Sequence, residues 1–542
     1  MTEPIIVRVG FESGRSKSFR PFDEAVGRIS QTAVRTITVS KRRSKRAVDF
    51  GSYRILFMNE ILRLLDSLFF RLTRNRPGLL NVNSILFENR SPCPVHNVRV
   101  DTLDQAVGEI RKIQRMGTAI DGDRALLLLI FDKDLVSPLA SNFPDQYLVH
   151  LESDTPLETQ PFEFIHHVIG GVPRITCQMT FYIDNAAVFR QNYIYPTRRT
   201  GMATSLSYSV DSASLLIKRY RYLQNQIPEG LNGGIFSSRI PRGSSAISIW
   251  RLTQKFFALT VQARLYSIPR LRVLLPSKKV WSIALSRAAK KRTSLYDFSQ
   301  MPNPESSWLA DPFLVERGSE TFLFVEEFDL TKGRGEISVA QIHEGSPLKT
   351  SVCLAEDFHL SFPFIFRYSG EFYMCPETHN AKEIRIYKSE EFPLRWSLTA
   401  KHLSGHDCSD TVIFKFNRLW WLITTEESVS GGDFYSELFV YFAEDPVSGP
   451  WTEHPKNPVV VDSGRGRNGG FHICDDRLIR FGQEFGDFEY GVGFHPYEIT
   501  QLTEFDYREE SAQCEHFDAL PPQLSSHHMD ISSNYIVMDT KK

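Results

Sequence analysis

Five times between Asp311 and Met538, a short apolar strand enters a polar or glycine-containing turn and leaves it as a second apolar or aromatic strand. Asp311-Pro-Phe-Leu-Val turns at Gly318 into Thr321-Phe-Leu-Phe-Val. Phe362-Pro-Phe-Ile-Phe turns at Gly370 into Phe372-Tyr-Met. Asp410-Thr-Val-Ile-Phe turns at Asn417 into Leu419-Trp-Trp-Leu-Ile. Gly469-Gly-Phe-His-Ile turns at Asp475-Asp476 into Leu478-Ile-Arg-Phe. His528-Met-Asp-Ile turns at Ser533-Asn534 into Tyr535-Ile-Val-Met. Anchored on Asp311, Phe362, Asp410, Asn468 and His528, the units are 51, 48, 58 and 60 residues apart. A repeat of about 40 to 60 residues made of several short strands is how a β-propeller blade reads in sequence. Five units predict five blades, most of them opening on a polar residue near the strand start, where inner strands gather around one funnel.

The remaining length predicts more than one domain, because 542 residues exceed a single ordinary core. Before about residue 275, helix and strand signals alternate. Tyr53–Met58 leads into an apolar helical spacing over 61–72. Asn97–Val100 and Arg124–Asp132 read as strands, and Thr102–Met116 reads as an amphipathic helix. Three further strands are expected over 147–151, 175–183 and 187–195. This alternation argues for an α/β domain with a partly parallel sheet. The expected layout is an N-terminal arm over 1–50, poorly ordered or variable, and an α/β domain over 51–227. A linker and helix over 228–277 and an all-β five-bladed propeller over 278–542 complete it. Trp281-Ser-Ile-Ala-Leu is the expected outer strand that closes the ring on the last repeat, removing exposed sheet edges.

Composition narrows the function classes. The net charge of −1 supplies no global field for nucleic acid, and no nucleic-acid partner is expected. The run Ser40-Lys-Arg-Arg-Ser-Lys-Arg leaves peripheral contact with anionic lipid open, but without interleaved aromatics it reads first as a solvated arm. No run of about 18 apolar residues is present, so no transmembrane helix is expected. The N-terminus lacks a basic segment followed by a long apolar one, so no signal peptide is expected. Seven cysteines without a CxxC pair suit free thiols in a reducing, cytoplasmic setting.

A family resemblance emerges from Trp308 onward. Trp308-Leu-Ala-Asp-Pro-Phe-Leu, Phe324-Val-Glu-Glu-Phe, Lys332-Gly-Arg-Gly-Glu-Ile-Ser-Val-Ala and His359-Leu-Ser-Phe-Pro-Phe-Ile-Phe are followed by Met374-Cys-Pro-Glu-Thr. Asp410-Thr-Val-Ile-Phe, Gly449-Pro-Trp-Thr-Glu-His-Pro-Lys-Asn-Pro-Val and Tyr497-Glu-Ile-Thr-Gln-Leu complete the order. Over roughly residues 278–540 this resembles the N-terminal domain family of plant glucosamine inositolphosphorylceramide transferase. It is also similar to bacterial proteins that join this domain to a formyltransferase-like region. In the plant proteins sugar transfer is assigned to a separate C-terminal domain, and none is expected before Lys542.

The resemblance extends to five-bladed arabinanase/xylosidase-type and fructan-cleaving glycosidases, and it implies roles for particular residues. Asp311, in the Asp-Pro that opens blade one, matches their base or nucleophile. Asp410 resembles the carboxylate that orients the acid and tunes its pKa. The acid is a Glu, for which Glu377 and Glu484 are the alternatives, Glu377 being preferred. Glycoside cleavage needs one carboxyl to protonate the leaving oxygen and another to activate water or attack the sugar. The bland alternative is that an Asp before Pro accepts backbone N–H bonds and fixes a turn. For Glu326 and Glu327 structural ion pairing is at least as good a reading, although Glu327 is kept as a substrate-binding residue.

Further substrate-binding expectations are Trp308 stacking on a sugar ring, Arg467 clamping an anionic group, Gln483 and His528. Two adjacent histidines on a strand face opposite ways, so at most one of His527 and His528 should face the funnel. No metal site and no cofactor are expected. The N-terminal half lacks the His-x-Ser-x-Leu-Pro segment of a folate-dependent formyltransferase; His166-His167-Val-Ile-Gly-Gly is the nearest stretch and does not match. It reads as a divergent scaffold. The expected partner is a glycan or glycoconjugate of surface polysaccharide or glycolipid metabolism. The alternatives are a propeller that binds a glycan or partner without turnover, and a formyl-transfer enzyme.

Overall fold

The computed structural model describes residues 5–11, 34–39, 96–100, 102–121, 126–130, 133–144, 146–153, 174–183, 185–196, 280–288, 298–343, 348–427, 434–474, 476–486, 489–512 and 525–541. The chain divides into two compact units, one over residues 1–274 with 429–432 and one over 275–428 with 433–542.

The first unit is built on a seven-stranded sheet. Ile5–Phe11 lies at its centre, paired in parallel with Val34–Val39 on one side and Leu126–Ile130 on the other. His96–Val100 extends the first edge and Tyr147–Ser153 the second, both in parallel. Arg174–Ile183 and Ala186–Pro196 then add antiparallel strands. The expected N-terminal arm is corrected here, since two of its segments are strands of this sheet. Ile5–Phe11 pairs with a strand more than a hundred residues away, a parallel contact that local pattern does not announce. The basic run at 40–46, the helical segment expected over 61–72 and the linker and helix expected over 228–277 lie outside the described residues.

Helix Leu103–Asp121 buries Ala106, Val107, Ile110 and Ile113 on one face. Its start is a capping box. The Gln105 N–H donates to Thr102 Oγ1, and the Thr102 N–H donates to Gln105 Oε1, both at 3.3 Å.

Among the described residues, the second unit consists of five sheets. Sheet I is Ser307–Arg317, Glu320–Asp329, Arg334–Gln341 and Ser351–Leu354. Sheet II is Ser361–Tyr368, Glu371–Glu377, Ile384–Glu391 and Arg395–His402. Sheet III is Cys408–Phe416, Leu419–Glu426, Glu437–Ala443 and Thr452–Glu453, with Val460–Val461 also on its third strand. Sheet IV is Asn468–Cys474, Arg477–Gly486, Glu489–Leu502 and Tyr507–Ser511. Sheet V joins the ends of the unit: Met529–Ile531 and Tyr535–Lys541 are continued by Trp281–Arg287 and Ser299–Gln300. Trp281–Arg287 is therefore the third strand of that sheet, with Ser299–Gln300 outside it.

The first strands of the sheets touch in turn, I to II, II to III, III to IV, IV to V and V back to I. Aromatic and aliphatic side chains fill the space between neighbours, among them Phe324, Phe362, Trp421 and Val440, all essentially inaccessible. The expected alternation along each strand supplies these faces, because successive residues point to opposite sides.

One local device recurs. In each of the first four sheets the pairing of the first two strands slips near the start of the first strand. The slips fall between Ala310 and Phe313, Ser361 and Phe364, Ser409 and Val412, and Asn468 and Phe471. The backbone there takes positive φ, at Asp311 (47°), Phe362 (45°), Asp410 (51°) and Gly470 (124°). Non-glycine residues rarely adopt this conformation. A bulge of this kind re-aims a side chain out of the regular pleat. It is the local reason Asp311 and Asp410 leave their own sheets and meet residues of others.

Candidate functional site

Asp311 joins three sheets. Its Oδ2 accepts the Phe362 N–H of sheet II at 3.1 Å, and its Oδ1 lies 2.9 Å from His527 Nε2. The other ring nitrogen of His527 lies 3.0 Å from Oδ2 of Asp539, on the second strand of sheet V. Asp539 in turn accepts the N–H groups of His527 and His528 on Oδ1 and that of Asp311 on Oδ2. Burial alone would raise Asp311, but the charge and hydrogen bond of His527 hold it down at about 2. Burial disfavours a charged His527, yet the carboxylates of Asp539 and Asp311 on its two nitrogens lift it to about 10. The ligand-type atoms of Asp311, His527 and Asp539 lie within 4.8 Å of one another, a compactness that also suits a metal ion. Because both imidazole nitrogens already face carboxylates at hydrogen-bond length, the trio is an anion–cation–anion chain.

Asp410 forms a second centre. Arg467 Nε donates to its Oδ2 at 2.5 Å and Nη2 donates to Oδ1 at 3.1 Å, a two-pronged contact. Gln483 Nε2 adds a bond to Oδ2 at 2.8 Å, and Asn468 donates to the Asp410 carbonyl at 2.7 Å. Arg467 Nη2 also reaches Glu377 Oε2 at 3.3 Å, at the end of the second strand of sheet II. One guanidinium thus serves two carboxylates. Burial raises Asp410 to about 8 against the pull of Arg467, with the Glu377 and Asp311 charges adding to the rise. Arg467, Gln483 and Asn468 sit at or just before sheet IV, so this centre ties sheets II, III and IV together.

Glu326 is a third member. It lies on the second strand of sheet I, paired with Ala310 beside the Asp311 bulge, and is 5% exposed. Burial first, then the negative charge of Asp311, push its carboxyl well above the usual range.

Asp410, Glu377, Arg467 and Gln483 form one hydrogen-bonded group, and the charge of Asp311 acts on Asp410 from outside it. Glu484 pairs with His495 at 3.1 Å instead. Trp308 stacks face to face on Phe328 at 4.6 Å, and Glu327 accepts the Ser307 hydroxyl at 2.7 Å. His528 is fully buried between Phe313 and Phe362, 4.4 and 5.1 Å from their ring centres, and burial holds it at about 4. The two histidines thus both point inward, because they precede the strand Met529–Ile531 and escape its alternation. Asp539 and His527 were not singled out as site residues. The available signal for Asp539 was an acidic residue inside the apolar run Tyr535-Ile-Val-Met-Asp-Thr.

A cavity of about 340 Å³ lies elsewhere along the same strands. Phe313, Phe364, Phe414 and Phe471, which follow the bulges, line it with Asp530. Asp530 accepts the Leu314 N–H at 2.7 Å and is pushed up to about 7 by burial.

Comparison with known proteins gives this site a context. Residues 293–523 match the family model described as glucosamine inositolphosphorylceramide transferase 1, N-terminal. Glucosamine inositolphosphorylceramide transferase 1 of Oryza sativa subsp. japonica is 36% identical over 209 residues, which are 38% of this chain and 28% of that protein. The Arabidopsis thaliana protein of the same name is 34% identical over 209 residues, 38% of this chain and 27% of its own length. The chain thus spans little more than a quarter of the curated relatives it matches. Among solved structures, a family 117 glycoside hydrolase of Zobellia galactanivorans overlaps 49% of this chain and 91% of its own, with 11% identity and a TM-score of 0.33. The catalytic domain of the Coprinopsis cinerea GH62 α-L-arabinofuranosidase overlaps 49% and 98%, with 10% identity and a TM-score of 0.31. Overlaps this loose assign no activity. The sequence matches do assign a family: residues 293–523 are an N-terminal domain of the glucosamine inositolphosphorylceramide transferase family.

Proposed function

We propose that the second unit is a five-bladed β-propeller that acts on the glycosidic bond of a glycan or glycoconjugate. Its five sheets are the blades, and the buried acids near the strand starts line its funnel. The carrying observation is the set of carboxyls Asp311, Glu326, Glu377 and Asp410, whose surroundings drive Asp311 down while Asp410 and Glu326 go up. Carboxyls pushed apart in this way can divide acid and base roles between them. In this reading Asp311 is the base or nucleophile, Asp410 tunes its neighbours, Glu377 is the acid that the sequence favours, and Arg467 and Gln483 hold Asp410. The family supports a glycolipid or related glycoconjugate as substrate. The first unit would be a formyltransferase-like α/β scaffold, and the four described free cysteines suit a reducing compartment.

A second reading, a propeller that binds a glycan without turning it over, is favoured by one observation. Both oxygens of Asp311 already accept hydrogen bonds from the protein.

Turnover decides between them. The purified chain and its Asp311→Asn variant, shown to be folded by circular dichroism, are incubated with oligosaccharides, glycolipids and sugar nucleotides, and products are read by mass spectrometry. Turnover by the wild type that falls about 100-fold or more in the variant supports catalysis. Ligand binding without turnover, unchanged by the substitution, supports the binding propeller.

A further inference from the structure

The partners of the four clustered carboxyls differ in kind. Asp311 faces the imidazole of His527. Asp410 and Glu377 share the guanidinium of Arg467. Glu326 has His359, whose Nε2 lies 3.5 Å from its Oε1, too far for a firm hydrogen bond. His359 Nδ1 accepts the Gly335 N–H at 2.7 Å, so in the neutral ring the proton sits on Nε2. Burial lowers the pKa of His359, favouring that neutral ring. Glu326 is therefore a buried carboxyl beside a neutral neighbour, next to the negative Asp311. A carboxylate there would be a buried charge beside the negative Asp311, Glu377 and Asp539, with only His527 pulling the other way, and a carboxyl avoids this by keeping its proton.

The pocket that holds Glu326 is shaped around it. A Cβ at position 335 would stand 2.8 Å from Glu326 Oε1, 2.8 Å from His359 Cε1 and 2.4 Å from the Leu360 carbonyl oxygen. Glycine at 335 is what lets the carboxyl and the imidazole meet.

We propose that Glu326 holds a proton at neutral pH and is the donor that protonates the leaving oxygen when a glycosidic bond is cut. This rests on the glycosidic reading above and moves the donor role from Glu377 to Glu326. In the step, the bond between the anomeric carbon and the leaving oxygen breaks, and the proton of Glu326 passes to that oxygen. A water oxygen bonds to the anomeric carbon and gives its proton to the basic carboxylate, Asp311. Proton exchange with solvent then restores both groups, and the net reaction is hydrolysis.

Two measurements on the full chain test this. Infrared spectra at neutral pH report protonated carboxyls directly. Glu326→Gln should lose one such band, and Glu377→Gln should keep it. An undiminished set of protonated-carboxyl bands in Glu326→Gln, or the loss of one in Glu377→Gln, overturns the assignment. If Glu326→Gln does not fold, His359→Ala serves instead: removing the Nε2–H should shift the band, and an unmoved band overturns the assignment.

The second measurement compares alkyl glycosides with nitrophenyl glycosides, whose leaving group needs no proton, made from the sugar that the substrate panel identifies. Glu326→Gln should lose about 100-fold or more on the alkyl glycoside and little on the nitrophenyl one. Equal loss on both, or no loss on either, overturns the donor role. The two ideas fail separately. With turnover intact and the band elsewhere, only the Glu326 assignment falls. With the band on Glu326 and no wild-type turnover of any glycoside, the glycosidic reading and the donor role fall together.

Discussion

Asp311 and His527 meet at 2.9 Å, both almost fully buried, and so join the first strand of sheet I to the segment leading into sheet V. This is the place where the ring of sheets returns to its beginning. The contact couples closure of the fold to the ionisation of a site residue.

That coupling gives the stability a pH dependence of known sign. The folded state lifts His527 from an ordinary value of 6.5 to about 10. Its contribution is full below pH 6.5 and is lost as pH rises through about 10. Asp410, raised from 3.8 to about 8, acts in the same direction between those values. The melting midpoint of the second unit should therefore fall between pH 6.5 and 10. In His527→Gln that decline should flatten, and at pH 7 the unit should be about 3–5 kcal/mol less stable, since Asp311 and Asp539 are left buried without their cation. Thermal melts of both proteins across this range check the prediction; parallel curves would contradict it.

Arg467 hydrogen-bonds two acids at once, so its loss should cost more than the loss of either partner. Arg467→Ala is expected to destabilise by about 3–5 kcal/mol. Adding Asp410→Asn should then cost less than it does beside Arg467, because its two-pronged partner is already gone. Denaturant unfolding of the two single variants and the double variant gives the coupling directly. Additive effects would show that the two-pronged contact does not form in solution.

Gly470 holds the bulge of sheet IV at φ 124°, and a Cβ there would stand 2.0 Å from the Met529 carbonyl oxygen of sheet V. Gly470→Ala therefore meets both backbone strain and a contact that only movement of the neighbouring strand can relieve. The strain alone is worth about 1–3 kcal/mol. Gly493→Ala, with nothing within 4 Å of the added carbon, is the matched control. A drop in melting midpoint no larger than that of the control would rule out this packing.

Much of this protein was open to local reading. The five strand–turn–strand units, their spacing and the aromatic runs correspond to the first two strands of sheets I to V, because period-2 alternation and turn residues are properties of neighbouring residues. Trp281–Arg287 could be matched to the last repeat for the same reason. The helix that starts at Leu103 announces itself through its apolar spacing and through Thr102 and Gln105.

What only the tertiary structure decided depends on contacts between distant residues. Ile5–Phe11 is a central strand because Leu126–Ile130 and Val34–Val39 flank it, and nothing in its own seven residues requires parallel partners. Asp311 and Asp410 could be picked out from Asp-Pro and from their place in the repeats. Their unequal electrostatics could not, since these come from His527, 216 residues on, and from Arg467, 57 residues on. Glu326 and Glu327 stand side by side in sequence and look interchangeable. One is buried beside Asp311 and a neutral histidine, while the other bonds a serine hydroxyl at 2.7 Å. The sequence determined which residues could be strands and which acids were available. Burial and the charges brought alongside by the ring decided what each acid can do.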